Sequence, residues 1–502
     1  MTMAIALIHS RAQCGVAAPP VQVEVHLSGG LPGMSIVGLP EAAVRESKDR
    51  VRAALLCAQF DMPQRRITVN LAPADLPKDG ARFDLPIALG ILVASGQLPA
   101  DAVAPLEFIG ELALTGELRG VHGALTAALG AGRAGRGVVL PRANAAEAGL
   151  AGSVAVLPAE SLLQVCAHLR GAERLPAFVA ANEVAGPGTR ADLRDVVGQP
   201  IARRALEIAA AGGHHLLLVG PPGSGKTLLA SRLTGLLPAL DEQDALEAAA
   251  VRSLAQQRFE PGRWREPAFR HPHHTASGVA LVGGGSPPPP GEISQAHHGV
   301  RFIDELPEWD RRVLEVLREP LESGSITISR AAQQAEFPAR FQLVAAMNPC
   351  PCGWAGDPSG RCHCSAEQIA RYRGRISGPL LDRIDLIVEV PRLSAAELRP
   401  GPTPPEDSAT VAARVSAARG RQARRGVLNA RLDHAALEAA VALDAGSLDL
   451  LDRAIDRLQL SARVAQRLLR VARSIADLAA AERVERAHLG EAIALRRFTL
   501  PG

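Results

Sequence analysis

One octapeptide constrains this chain more than any other stretch: Gly220-Pro221-Pro222-Gly223-Ser224-Gly225-Lys226-Thr227. It fits the pattern G-x-x-x-x-G-K-[ST] in its expected setting, after an apolar run (214–219) that reads as a buried strand and before a helix from Leu228. Glycines let successive backbone N–H groups converge on phosphate oxygens, and the helix start adds positive potential. Lys226 is then placed to neutralise the β- and γ-phosphates of ATP, and the Thr227 hydroxyl to ligate Mg²⁺. A chain with this element must build a parallel α/β sheet around it.

Two further strand ends complete the expectation. Val300-Arg301-Phe302-Ile303 runs into Asp304-Glu305. Asp304 is expected beside Mg²⁺, directly or through water, and Glu305 where it can polarise an attacking water. Arg301 is awkward in a strand that should be buried. The run 341–347 ends in Asn348, a neutral amide suited to orienting a hydrolytic water; a turn-forming Asn before Pro349 is the plainer reading.

The 502 residues suggest about three domains. With 47% hydrophobic and 21% charged residues the chain can bury large cores, and a net charge of +3 excludes a polycation whose partner follows from charge alone. Any nucleic-acid surface must be a local patch, and 3% aromatics disfavours a long base-stacking platform. No apolar run is long enough for a membrane span, and the start lacks a signal-peptide pattern, so a soluble, cytoplasmic protein is expected. Small residues at 181–188 and the proline-rich stretch 400–407 divide the chain into expected domains at 1–180, 191–395 and 408–502. The last reads as helical: Val464, Leu468, Val471, Ile475 and Leu478 repeat the spacing of one buried helix face.

Cys350-Pro351-Cys352 and Cys362-His363-Cys364 offer four soft ligands to a tetrahedral Zn²⁺, with reduced structural thiols as the main alternative and an iron–sulfur cluster as a minor one. His271, His273, His274, His297 and His298 sit between the nucleotide motifs. Loop imidazoles contacting DNA or a subunit interface are favoured there over a metal. Arg414, Arg419, Arg421, Arg424, Arg425 and Arg431 form a basic stretch without acids, either a solvated helix face or a surface that tracks phosphates.

The P-loop, Asp304-Glu305, Asn348 and the string Arg375-Ile376-Ser377-Gly378-Pro379-Leu380-Leu381-Asp382-Arg383-Ile384-Asp385 resemble the magnesium-chelatase-like branch of AAA+ ATPases. With the N-terminal region included, the chain resembles the ComM/YifB family. The resemblance implies an AAA+ P-loop core with a C-terminal helical lid, and self-association into a hexameric ring. It implies ATP-dependent helicase action on single-stranded or branched DNA, promoting branch migration during natural transformation or recombination. A magnesium-chelatase-type ATPase chaperone that remodels a protein partner is the alternative. By the same resemblance Arg383 is the arginine finger and Arg463 the sensor arginine of the lid, and the hairpin that includes Arg330 lines a pore.

The N-terminal region is similar to the Lon-protease fold, an α+β domain, through Pro77-Lys78-Asp79-Gly80 and the stretch 110–116. Arg82 stands where the nucleophile belongs and Leu125 near the expected catalytic lysine. Peptide hydrolysis therefore has no route.

Overall fold

The computed structural model describes residues 4–179, 191–255, 260–284, 289–330, 333–399 and 404–496; the linker expected at 181–188 lies outside them. Two sheets organise the chain. The first has seven strands in the order Gly33–Val37, Arg66–Ala72, Pro20–Ser28, Ala4–Arg11, Leu106–Phe108, Gly137–Pro141, Val156–Ala159. Alternation drives its burial: Val21, Val23, Val25 and Leu27 face the core while the intervening side chains do not. The helix Asp84–Ala94, apolar on every side, is buried almost throughout against these strands. Its Gly90 permits the approach, since a Cβ there would lie 2.5 Å from Val25 Cγ2.

The second sheet is wholly parallel, in the order Phe269–Arg270, Val300–Ile303, Gln342–Met347, Leu216–Val219, Leu386–Glu389. The phosphate-loop strand is therefore internal, with a neighbour on each side, and all four of its residues are buried. A parallel sheet places every strand's C-terminal end on one edge, where ligands of such folds bind. The register aligns Val219 with Met347 and Ile303 with Ala345, bringing three motifs far apart in sequence onto that edge. A separate antiparallel hairpin, Ser325–Arg330 with Gln333–Pro338, occupies the stretch expected as strand; the Arg330 side chain lies outside the described residues.

Helices Ser408–Ala423, His434–Val441, Ala445–Leu458, Ala462–Leu478 and Arg486–Ala494 follow. Asp407, Asp433, Asp444 and Ser461 cap four of them through side-chain oxygens. Val464, Leu468, Val471 and Ile475 are buried, as their spacing requires. The same apolar cluster includes Leu216 and Leu218, so these helices share a core with the parallel sheet.

The basic stretch mostly turns inward. Arg414 bonds Glu207 and Glu406, Arg419 donates to the Ala210 carbonyl at 2.9 Å, Arg421 reaches the Asp477 carbonyl at 3.2 Å, and Arg425 pairs with Asp477. These guanidiniums tie helices together rather than present a continuous phosphate-tracking face. The partners lie outside the stretch, from Glu406 just before it to Glu207 and Asp477 far away in sequence, so the absence of acids within it was no guide. Arg424 and Arg431 remain exposed.

A polar junction joins lid and sheet. Asp385 is fully buried; its carboxylate accepts from His215 N at 2.8 Å and from Arg467 at 2.7 Å. Burial alone would raise its pKa, but the neighbouring His214 and the Arg467 charge hold it far below the ordinary carboxylate range. Desolvation pushes the His215 imidazole down to about 4 despite Asp385.

Asp385→Asn should cost about 3 kcal/mol by urea unfolding, since it leaves Arg467 without its counter-charge. Acid should also weaken the junction. An unfolded imidazole protonates near pH ~6.5, while folded His215 stays neutral to about 4. The unfolded state then binds more protons, so stability present above pH ~6.5 declines as pH falls through that window. His215→Gln should flatten this slope in thermal midpoints measured across it.

Candidate functional site

The phosphate loop is shaped by glycines that nothing larger can replace. Gly223 and Gly225 adopt φ of 74° and 91°, the left-handed region. A Cβ on Gly220 would lie 2.1 Å from the Val390 carbonyl oxygen. Gly225 caps the helix Lys226–Leu236, whose free N–H groups face the loop.

Lys226 is the centre of the site. Its ammonium donates to the carbonyls of Gly220 at 2.7 Å and Pro221 at 2.9 Å, and to Asn348 Oδ1 at 3.1 Å. Desolvation lowers its pKa, opposed by the charges of Asp304 and Glu305. Phosphate oxygens would offset that desolvation directly. Among the described residues Ser224 Oγ is buried without a hydrogen-bond partner, a further donor for such oxygens. The loop thus fits a nucleotide's phosphates.

Thr227 Oγ1 donates to Asp304 Oδ2 at 2.8 Å, so the two expected Mg²⁺ ligands are already adjacent. Hydroxyl and carboxylate oxygens are the hard donors that Mg²⁺ takes, alongside phosphate oxygens and water. The other Asp304 oxygen accepts from Glu305 N at 2.9 Å, and Trp309 Nε1 donates to the Asp304 carbonyl at 2.9 Å. These bonds hold Glu305 in a left-handed turn with φ 50° and leave its carboxylate half exposed. Such strain at a strand end is characteristic of functional positions.

His274 lies against that carboxylate, its Nδ1 3.2 Å from Glu305 Oε2. The histidine-rich motif was visible in sequence, but only folding shows that this imidazole faces Glu305. His297 and His298 form a different group. Both approach Glu247, at 3.3 and 3.0 Å. His297 Nδ1 accepts from Arg340 N at 3.0 Å, which places its proton on Nε2 facing Glu247. A protonated Nε2 cannot ligate a metal, so this group is a hydrogen-bonded clamp.

The two arginines differ in exposure. Arg383 is only 5% exposed; it donates to the Pro379 carbonyl at 2.6 Å and pairs with Glu322. Arg463 is exposed in the first turn of the helix Ala462–Leu478, whereas Arg467, one turn on, holds Asp385. In the N-terminal sheet region Arg82 is buried, donating to Gln13 Oε1 at 2.8 Å and to the His122 carbonyl. Arg82 is therefore a structural cation, and Leu125 is fully buried.

The arrangement can bind a magnesium nucleotide, activate water at Glu305 and orient it through Asn348. Glu305→Gln should keep nucleotide affinity while slowing phosphate release by about 10²–10⁴-fold, the contribution of a positioned general base. Lys226→Ala should instead abolish binding of a fluorescent nucleotide.

Family models describe the chain in three consecutive pieces: "Subunit ChlI of Mg-chelatase" at residues 23–144, "Magnesium chelatase, subunit ChlI" at 192–398, and "Magnesium chelatase, subunit ChlI C-terminal" at 405–496. Relatives match nearly end to end. The protein YifB of Salmonella typhimurium is 50% identical over 98% of this chain and 97% of its own. Competence protein ComM of Haemophilus influenzae is 50% identical over 98% of both chains. A Mycobacterium tuberculosis protein is 43% identical over 95% of both. With a phosphate loop, an Asp-Glu strand end and a C-terminal helical layer in their places, the chain belongs to the ComM/YifB family of magnesium-chelatase-like AAA+ ATPases.

Proposed function

We propose that this protein is an ATP-driven ring motor acting on DNA, with domains at 1–180, 191–395 and 408–502. The observation that supports ATP chemistry most directly is the convergence of Lys226, Thr227, Asp304 and Asn348 at one sheet edge. Likeness to a competence protein along the whole chain favours branched or single-stranded DNA as the substrate, with branch migration in transformation or recombination as the task. The N-terminal unit, Lon-like in its motifs but with Arg82 buried at the nucleophile position, serves assembly or DNA engagement rather than proteolysis. Zn²⁺ joins ATP and Mg²⁺ in this reading, held by the four clustered thiols. No helix among the described residues is long and apolar enough to cross a membrane, in keeping with a cytoplasmic site of action.

In this reading Arg383 reaches the γ-phosphate of the adjoining subunit within a hexameric ring, leaving Glu322 as the ring closes. Arg463, exposed on the lid, reads the bound nucleotide. Glu322 then only parks the guanidinium in the single chain. Arg383→Ala should lower turnover by about 10³-fold or more, whereas Glu322→Ala should leave it nearly intact. Equal losses in both variants, measured by phosphate release, would make the pair structural.

A magnesium-chelatase-type chaperone is the second reading, favoured by the three family models named for that subunit. Incubation with ATP and forked or four-way DNA separates the two. The motor should show DNA-stimulated ATPase and strand exchange; hydrolysis indifferent to DNA supports the chaperone.

A further inference from the structure

Directly after Asn348 the chain makes an excursion that returns to the helix Ala366–Arg373, and it carries Cys350, Cys352, Cys362 and Cys364. Their sulfurs all lie within 4.8 Å of one another. Cys350 to Cys352 is 3.3 Å, Cys350 to Cys362 3.8 Å, and Cys352 to Cys362 3.7 Å. A disulfide needs about 2.05 Å, so these are thiols. Around a tetrahedral Zn²⁺ with Zn–S of about 2.3 Å, neighbouring sulfurs stand about 3.8 Å apart. Four soft donors converging on a single point suit one ion of this kind.

Backbone donors face two of the four sulfurs. Ala355 N donates to Cys350 Sγ at 3.2 Å, and the backbone N–H groups of His363 and Trp354 point at Cys352. Arg373 closes on the Pro349 carbonyl beside Cys350, and Arg361 stacks over Trp354 at 5.0 Å. Four thiolates and one Zn²⁺ carry a net charge of −2, which these cations oppose.

The excursion also presses on the nucleotide site. A Cβ on Gly353 would lie 2.5 Å from Pro222 Cδ, so the backbone between the cysteines packs directly against the phosphate loop. Asn348, two residues before Cys350, bonds Lys226. Arg373 Nε donates to the Pro349 carbonyl at 3.0 Å, closing the excursion on its far side.

We propose that Cys350, Cys352, Cys362 and Cys364 bind one structural Zn²⁺ that braces the phosphate loop through Gly353 and Pro222 and holds Asn348 against Lys226. On binding, the four thiols lose their protons to solvent and no electron moves. The bracing role rests on the nucleotide reading of the P-loop; the metal site itself does not.

The full-length chain, with the exposed Cys14 and Cys57 changed to serine, should be isolated with one zinc per chain by elemental analysis. Its Co²⁺-substituted form should show the visible spectrum of tetrahedral thiolate coordination. Titration with a mercurial should release the zinc and, in step, weaken fluorescent ADP binding roughly tenfold, the scale on which groups supporting a site act. A Cys362→Ser/Cys364→Ser variant should lose the zinc with the same weakening. If it does not fold, the mercurial titration of the parent decides. Protein carrying iron or no metal overturns the site, and undiminished ADP affinity after complete zinc release overturns the brace. Lys226→Ala should keep its zinc, so a parent that binds zinc but no nucleotide would defeat the ATP reading alone.

Discussion

The parallel register of the central sheet is the constraint on which the rest depends. Only because Leu216–Val219, Val300–Ile303 and Gln342–Met347 run the same way do Lys226, Asp304 and Asn348 emerge at one edge. Parallel strands need long crossover connections, and this fold uses them for function. The crossover after Leu216–Val219 contains the nucleotide helix and the helix Glu242–Leu254. The one after Val300–Ile303 contains the hairpin, and the one after Gln342–Met347 the cysteine excursion. The chemistry sits on the strand ends and its supports on the connections between them.

The site is held by polar bonds that oppose desolvation. Lys226 loses hydration and recovers three acceptors; Asp304 receives bonds from Thr227 and the Glu305 backbone. The lid junction obeys the same physics at higher burial, with Asp385 between His215 and Arg467. A buried carboxylate without such partners would cost several kcal/mol. Here it links the end of one crossover to the lid helix Ala462–Leu478, so movement of the lid must either carry this pair along or break it.

Contacts between the N-terminal sheet region and the nucleotide core follow a third pattern, small side chains around one buried acid. Ala249 and Ala250 pack into the same cluster as Ala124 and Ala128, Gly123 N donates to the Ser253 carbonyl at 3.1 Å, and Glu147 accepts from Ser253 and from Leu125 N. Burial raises the Glu147 pKa, with the Ser253 and backbone bonds acting against it. Close packing of alanines leaves little room to rearrange. The Arg82 side chain lies beside this seam, next to Gly123.

Local patterns in the sequence determined the phosphate loop, the Asp304-Glu305 strand end and the amphipathic face of Ala462–Leu478. Each depends on residues within a few positions of one another, where spacing dictates which groups can meet. Pairings across long separations were decided by the tertiary structure alone. Asn348 meets Lys226, His274 meets Glu305, and Arg383 meets Glu322 instead of standing free. The basic stretch shows the physical reason most plainly. A run of arginines without acids among them looks like a free cationic surface, but the cost of desolvating a guanidinium draws it toward whatever acceptors folding brings near, and Glu207 and Asp477 come from far away in the chain.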